Sequence, residues 1–204
     1  MNLNKFIAKQ LGNPSGIGGR IVFAVMNRQN RPLYEDVIHL LSLADTDSVL
    51  DIGCGNGNVL NMLANCYGCM LTGIDFSASA VKSALSRNRK FVKNERMNFI
   101  CQDMKRLPFP DNSFDKVYSI NTVYFWNNLD DVMAEIRRVL KPNGLFINAL
   151  YTNETLDSFP HTVFGYKRYT PNELTIAGQN AGFTAHIVPA FNRKAYCVVC
   201  RKES

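Results

Sequence analysis

Gly53, Gly55 and Gly57 alternate directly after the apolar run Ser48-Val-Leu-Asp-Ile52. Glycines at that spacing let a backbone turn sharply and come close to a ligand. A strand-to-helix turn of this kind lies at the carboxyl end of a strand, where open α/β sheets bind their ligands. The spacing also discriminates among ligands. A dinucleotide fingerprint reads G-x-G-x-x-G, with a pyrophosphate at the helix N-terminus. Here the third glycine comes one residue early, and Asn58 stands where it would fall. Asp75, at the end of the next apolar run, can accept hydrogen bonds from both hydroxyls of a ribose, a task that suits a carboxylate. A nucleoside without pyrophosphate fits these residues better than a dinucleotide does. Asp51, Asp75 and Asp103, each at or near the end of an apolar run, strengthen that reading.

Residues so spaced need a sheet whose strands end side by side. From about residue 48 the chain alternates strand-like and helix-like segments, the pattern of an α/β fold with a largely parallel sheet. Strands are expected at 48–52, 70–74, 97–101, 114–120 and 145–150, with helices after the glycines (58–66) and from Ser77 or Ser79 onward. A further helix, 130–140, is expected to stop at Pro142-Asn-Gly144. Thr170, Pro171 and Glu173 form a capping box that opens the last helix. Two closing strands, 183–188 and 195–201, are joined closely enough to make an antiparallel hairpin. Ahead of the sheet, Pro14-Ser-Gly-Ile-Gly-Gly19 is turn-rich, and helix-like segments cover Arg20 to Met26 and Pro32 to Leu43. One domain over 1–204 is expected, with a helical segment (1–44) over the cofactor and substrate side of a core spanning 45–204.

Composition narrows the class. At 46% hydrophobic and 20% charged, the chain matches an ordinary globular protein, and no apolar run approaches the roughly 18 residues of a membrane span. The first residues do not resemble a signal peptide, so a cytoplasmic location is expected. The net charge of +6 would attract anions, yet its densest group, from Lys82 to Arg96, lacks interleaved aromatics and reads as a solvated helix face rather than a nucleic-acid patch. Two C-x-x-C pairs, Cys66/Cys69 and Cys197/Cys200, invite a zinc reading. Residues three apart on a strand face opposite sides, which tells against the second pair, and free thiols with no metal site are expected throughout.

Val49-Leu-Asp-Ile-Gly-Cys-Gly-Asn-Gly57 resembles the first motif of class I S-adenosylmethionine-dependent methyltransferases. Gly73-Ile-Asp-Phe-Ser77, the Asp103 region, Pro108-Phe-Pro-Asp-Asn-Ser-Phe-Asp115 and Ile136-Arg-Arg-Val-Leu-Lys-Pro-Asn-Gly144 resemble its later motifs, in order. Asn121-Thr-Val-Tyr-Phe-Trp126 and the stretches from Pro14 to Asn30 are similar to those of a subgroup of small bacterial members. The resemblance implies a Rossmann-like, seven-stranded, mostly parallel sheet with helices on both faces and a C-terminal antiparallel hairpin strand. It implies S-adenosylmethionine as cofactor and S-adenosylhomocysteine as product. It also implies roles: the backbone of Gly53, Gly55 and Gly57 against the methionine part and ribose, and Asp51 orienting that loop or the amino group. Asp75 would bind the ribose hydroxyls, Phe76 would pack on the adenine, and Asp103 would accept from the adenine amino group with Met104 nearby. Asn121 would touch the methionine portion or line the transfer channel.

A sulfonium methyl is already activated, so holding a nucleophile in line with it supplies much of the rate. Tyr124 and Trp126, which combine aromatic faces with polar handles, are the candidates to meet the acceptor after strand four, while Phe125 reads equally as core. Tyr151, Tyr166 and Tyr169 could line the acceptor pocket. No general base is evident; His161, with Tyr124, is the candidate catalytic group. The expected partner is a small-molecule methyl acceptor, with neither nucleic acid nor membrane. A methyltransferase acting on RNA or protein, and a module that binds the cofactor without catalysis, are the alternatives. Asn-Pro-Pro-Tyr and a Cys beside a Pro in the strand-four loop are both missing from the sequence, against the common nucleic-acid enzymes. A nicotinamide oxidoreductase is disfavoured by Asn58 and by the lack of a Tyr-x-x-x-Lys pair.

Overall fold

A computed structural model describes residues 7–8 and 24–204. The turn-rich 14–19 stretch and the start of the first expected helix lie outside the described residues. Residues 24–29 are helical, and α1 (Arg31–Leu41) follows after a bend at Asn30. Leu33, Tyr34, Val37 and Leu41 recur at helical spacing on α1 and are its buried face. α1 ends at Ser42, which turns left-handed (φ 47°) and donates its N–H to the His39 carbonyl.

The sheet has seven strands in the order β3-β2-β1-β4-β5-β7-β6. They are β1 (Ser48–Ile52), β2 (Met70–Asp75), β3 (Met97–Cys101), β4 (Phe114–Ile120), β5 (Leu140–Tyr151), β6 (Phe183–Ala190) and β7 (Ala195–Lys202). The first five pair in parallel, while β7 inserts antiparallel between β5 and β6, as a terminal hairpin requires. Register, more than strand order, fixes where the site can form. Ile52 pairs with Ile74, Asp51 with Tyr118 and Asp75 with Cys101, so the ends of β1, β2, β3 and β4 lie along one edge.

Helices fill the crossovers: α2 (Asn58–Cys66), α3 (Ala78–Arg87, capped by the Ser77 hydroxyl), the short α4 (Arg89–Lys93) and α5 (Leu129–Val139). α5 starts on the Asn128 side-chain cap, carries Asp130 and Asp131 in its first turn and Arg137 and Arg138 in its last, and so complements the helix dipole at both ends. It buries Val132, Met133, Ile136 and Val139. Beyond β5 come α6 (Asn153–Asp157), a 3₁₀ turn (Pro160–Val163) and α7 (Pro171–Asn180), which opens on the expected Thr170–Glu173 capping box.

One boundary differs from expectation. Pro142-Asn-Gly144 does not separate helix from strand; the chain passes from Val139 straight into β5. Pairing with β4 jumps from Phe114↔Leu140 to Lys116↔Leu145, so the extra residues bulge out of the strand and Asn143 takes φ 63°. Leu140, fully buried, is already needed opposite Phe114, and that pairing overrides the local stop signal.

Candidate functional site

The glycine turn is pinned to the neighbouring strand. Gly53 and Cys54 both donate their N–H to the Ile74 carbonyl (2.9 and 3.0 Å), and Gly55 donates to Asp75 Oδ2 (2.9 Å). Gly53 sits at φ +75°, and a Cβ there would overlap the Thr122 methyl, so glycine is required for conformation and for space. Gly57, at φ +67°, caps α2 from the other side. Its Cβ position is closed off by Asn88 and Phe99, and its carbonyl accepts from Asn88 Nδ2 (3.1 Å). The structure therefore places Gly57 at the helix packing, whereas Gly53, Gly55 and Asn56 line a cavity of about 380 Å³. That size lies in the range of small-molecule pockets.

The acids fall where the strand ends put them. Asp51 is buried in the cavity wall and accepts from the Tyr118 hydroxyl (2.9 Å). Burial pushes its carboxyl up to about 8, against the Tyr118 hydrogen bond and with help from the neighbouring Asp75 charge. Asp75 is 8% exposed, and burial raises its pKa in turn. Each of its oxygens accepts one backbone N–H, from Ser77 and Gly55 at 2.9 Å, which leaves further acceptor capacity in a residue that lines the cavity. Phe76, beside it, is 53% exposed at the rim. Asp103 is exposed and accepts from the Lys105 N–H (3.0 Å), and Met104 is half-buried; both line the same rim. Carboxylates at the inner end and beside a bare aromatic ring at the outer end suit a nucleoside whose sugar donates hydrogen bonds.

After β4 the chain turns at Asn121, in the left-handed region (φ 56°), and enters a 3₁₀ turn, Val123–Phe125. Asn121 and the nearly fully buried Trp126 line the cavity, and the Trp126 indole N–H finds no partner among the described residues. Tyr124 does not line it. Successive residues of so tight a turn point to different sides, so Tyr124 goes inward, 1% exposed, while Phe125, read from sequence as equally a core residue, faces the cavity. The Tyr124 hydroxyl accepts from the Tyr151 N–H (2.7 Å) and donates to Asn121 Oδ1 (3.0 Å), and burial raises its pKa strongly. Tyr151, Tyr166 and His161 are likewise set back from the cavity. His161 stacks on Phe159 and meets Tyr166 edge-on, and Tyr166 packs on Tyr124 and Phe125. Burial among these rings lowers the His161 pKa and raises those of Tyr151 and Tyr166. The physical reason is shared: the segment after β5 packs its aromatics on one another, behind the 3₁₀ turn.

Asn27, Asn30 and Tyr34 are among the further residues that line the cavity, and the sequence reading gave none of them a role of its own. They lie at i, i+3 and i+7 along the helical stretch and α1, a polar stripe beside the apolar face of Leu33, Val37 and Leu41. That stripe was the available signal. All three touch one hydrogen-bonded chain with Asn121, Tyr151 and Asn56.

Residues 50–148 match the family model described as a methyltransferase domain. A sterol 24-C-methyltransferase of Gibberella zeae is 34% identical over 125 residues, which are 58% of this chain and 33% of that protein. The chain thus spans about a third of the length of the curated relatives it matches. Among solved structures, a SAM-dependent methyltransferase from Aquifex aeolicus superposes with a TM-score of 0.74 at 20% identity, covering 95% of this chain and 96% of the other. Geranyl diphosphate C-methyltransferase from Streptomyces coelicolor A3(2), solved with Mg²⁺, geranyl diphosphate and S-adenosyl-L-homocysteine, superposes with 0.72 at 17% identity, over 96% and 87%.

Proposed function

Because this chain carries a methyltransferase domain of the class I S-adenosylmethionine-dependent kind, we propose that it transfers the methyl group of S-adenosylmethionine to a small molecule. The observation that carries the reading is Asp75: a buried carboxylate at the end of β2, tied to the glycine turn through the Gly55 N–H and facing the cavity with Phe76 bare beside it. The cofactor, when bound, supplies a methyl group activated by a sulfonium charge. The chain's own work is then to bind and orient. Asp75 accepts from the ribose hydroxyls, Phe76 covers the adenine with Asp103 and Met104 at its edge, and Asp51 takes the amino group. Phe125, Trp126 and Asn121 shape the acceptor end. Among the described residues the lining includes no histidine, and the sulfonium methyl is already activated, so positioning rather than proton removal is the main device. Tyr124 acts through Asn121 as a positioning residue.

Small-molecule acceptors are supported by the sterol 24-C-methyltransferase and geranyl diphosphate C-methyltransferase likenesses. Among the described residues no helix is long and apolar enough to cross a membrane, and six free thiols suit a reducing, cytoplasmic compartment. We read residues 24–41 as the described part of a segment that covers the cavity. Calorimetry with S-adenosylhomocysteine and with NADH tests the cofactor. Binding of the first alone is expected, and Asp75→Ala should weaken it by about 1.5–3 kcal/mol, the range for hydrogen bonds to a charged group. An unchanged affinity in a folded variant removes Asp75 from its role, and binding of NADH alone overturns the reading.

A further inference from the structure

Lys167 does not line the cavity, yet it holds one wall of it from behind. It is an exposed residue on the stretch between the 3₁₀ turn Pro160–Val163 and α7. Its backbone N–H donates to the Tyr124 carbonyl (3.0 Å), and its ammonium donates to the carbonyls of Trp126 (2.7 Å) and Asn127 (3.2 Å). The Tyr169 hydroxyl adds a second bond to the Trp126 carbonyl (3.3 Å). A short helical turn ends in carbonyls that find no partner within it, and a lysine ammonium satisfies such groups with charge-assisted bonds. Here one residue takes up three carbonyls, where the chain leaves the Val123–Phe125 turn and heads for Asn128, the cap of α5.

Phe125, Trp126, Asn127 and Asn128 line the cavity in succession, so the backbone that Lys167 grips carries side chains of the site. Tyr166, next to Lys167, backs the Phe125 ring edge-on at 4.9 Å between centroids. The clamp is itself braced. Arg168 Nη2 reaches Asp157 Oδ1 (3.0 Å) and Thr162 Oγ1 (3.1 Å), and the buried Thr162 hydroxyl donates to the Leu156 carbonyl (2.7 Å). Resting on the cofactor reading above, we propose that Lys167 is a positioning residue for methyl transfer: by fixing the Trp126 and Asn127 carbonyls it sets where the Phe125 and Trp126 rings stand at the reacting end of the cofactor. An aromatic face attracts a cation within about 6 Å of the ring centre, and that attraction weakens when the ring shifts. In-line transfer is sensitive to displacements of about 1 Å, so a wall held from outside the cavity governs the reaction without touching it.

S-adenosylmethionine and S-adenosylhomocysteine differ only at the sulfur, in the methyl group and its positive charge, so the ratio of their affinities reads that end of the site. Lys167→Met keeps the side-chain stem and removes the ammonium donors. By calorimetry S-adenosylhomocysteine should bind within about twofold of wild type, which also reports that the variant is folded, while S-adenosylmethionine loses about threefold or more, the scale of a weakened cation–π contact. Trp126 is the single tryptophan of the chain and reports the wall directly: acrylamide should quench its emission more strongly in Lys167→Met than in wild type. Tyr169→Phe removes one of the two bonds to the Trp126 carbonyl and should move both readouts the same way by less. Equal losses for the two ligands, the mark of a role in stability alone, overturn the proposal, as does unchanged selectivity or unchanged quenching. A gain for S-adenosylmethionine overturns it too, since Lys167 would then act on the sulfonium through its charge. Wild-type protein that binds neither ligand overturns the cofactor reading itself, and the positioning role with it.

Discussion

Burial keeps the Asp51 carboxyl protonated up to about pH 8, with the Tyr118 hydroxyl too weak a partner to offset the loss of water. A carboxyl whose folded pKa is raised stabilises the fold in its protonated form. That contribution is full below the unfolded value near 3.8 and is lost as pH rises through about 8. The ligand-free protein should therefore lose Tm relative to Asp51→Asn between pH 5 and pH 9, with the two curves converging at the acid end. A pH-independent difference would show that Asp51 is ionised throughout. Ligand binding should run the other way, because an ammonium group beside Asp51 favours the charged form. Affinity for S-adenosylhomocysteine is expected to rise between pH 6 and pH 8 by up to about tenfold per unit, and to flatten in Asp51→Asn. Calorimetry in buffers of different ionisation enthalpy would count the released proton. At this scale the sequence was legible where the chemistry is local. The glycine spacing and the acids at strand ends are visible without a fold. The roles of Tyr124 and Phe125 were not, because which of two neighbours enters a cavity depends on the 3₁₀ turn that follows β4.

The elements were legible in proportion to how much of their signal is local. The Thr170 capping box and the alternating segments of the parallel sheet rest on residues within a few positions of one another. The asparagine stripe of residues 27–34 is harder to read: polar residues on a helix ordinarily mark its wet face, and only the packing of α1 over β4 and β5 makes this one an inner surface. A second element escaped for the same reason. Phe191, Asn192 and Arg193, between β6 and β7, all take left-handed backbone (φ 48°, 51° and 63°), and none is glycine. Asp36 on α1 holds the turn by accepting the Phe191 N–H at 2.7 Å, and the Lys194 carbonyl accepts from Thr152. The left-handed region costs a non-glycine residue about 1–2 kcal/mol, least for asparagine. Arg193 is exposed, so Arg193→Gly should remove that strain and lose little packing, raising stability by up to about 1 kcal/mol after the added freedom of the unfolded chain. Urea unfolding measures it, and a lowered midpoint would mean that the Arg193 side chain contributes more than its backbone costs.

Across the whole molecule, charge and cavity have opposite signs. The chain carries a net +6, yet the titratable groups lining the cavity among the described residues are the acids Asp51, Asp75, Asp103 and Asp131 against Lys105, with Tyr34 and Cys54 neutral. The densest basic group lies on and beyond α3, and part of it is occupied in the fold. Arg96 reaches the Tyr67 carbonyl, and both Lys90 and Arg96 lie over the Phe91 ring at 5.8 Å. The acidic lining suits a cation such as the sulfonium cofactor and gives a polyanion little to hold at the reacting end, while the net positive charge of the whole chain acts on anions only at long range and is screened by salt. Binding to RNA draws on the release of counterions by several phosphate contacts and weakens steeply with salt. This charge arrangement should give, at most, weak retention of tRNA in a gel at low salt, gone at physiological salt. A shift that persists there, with affinity falling as a high power of salt concentration, would place a phosphate-binding surface over the cavity and replace the small-molecule acceptor with a nucleic acid.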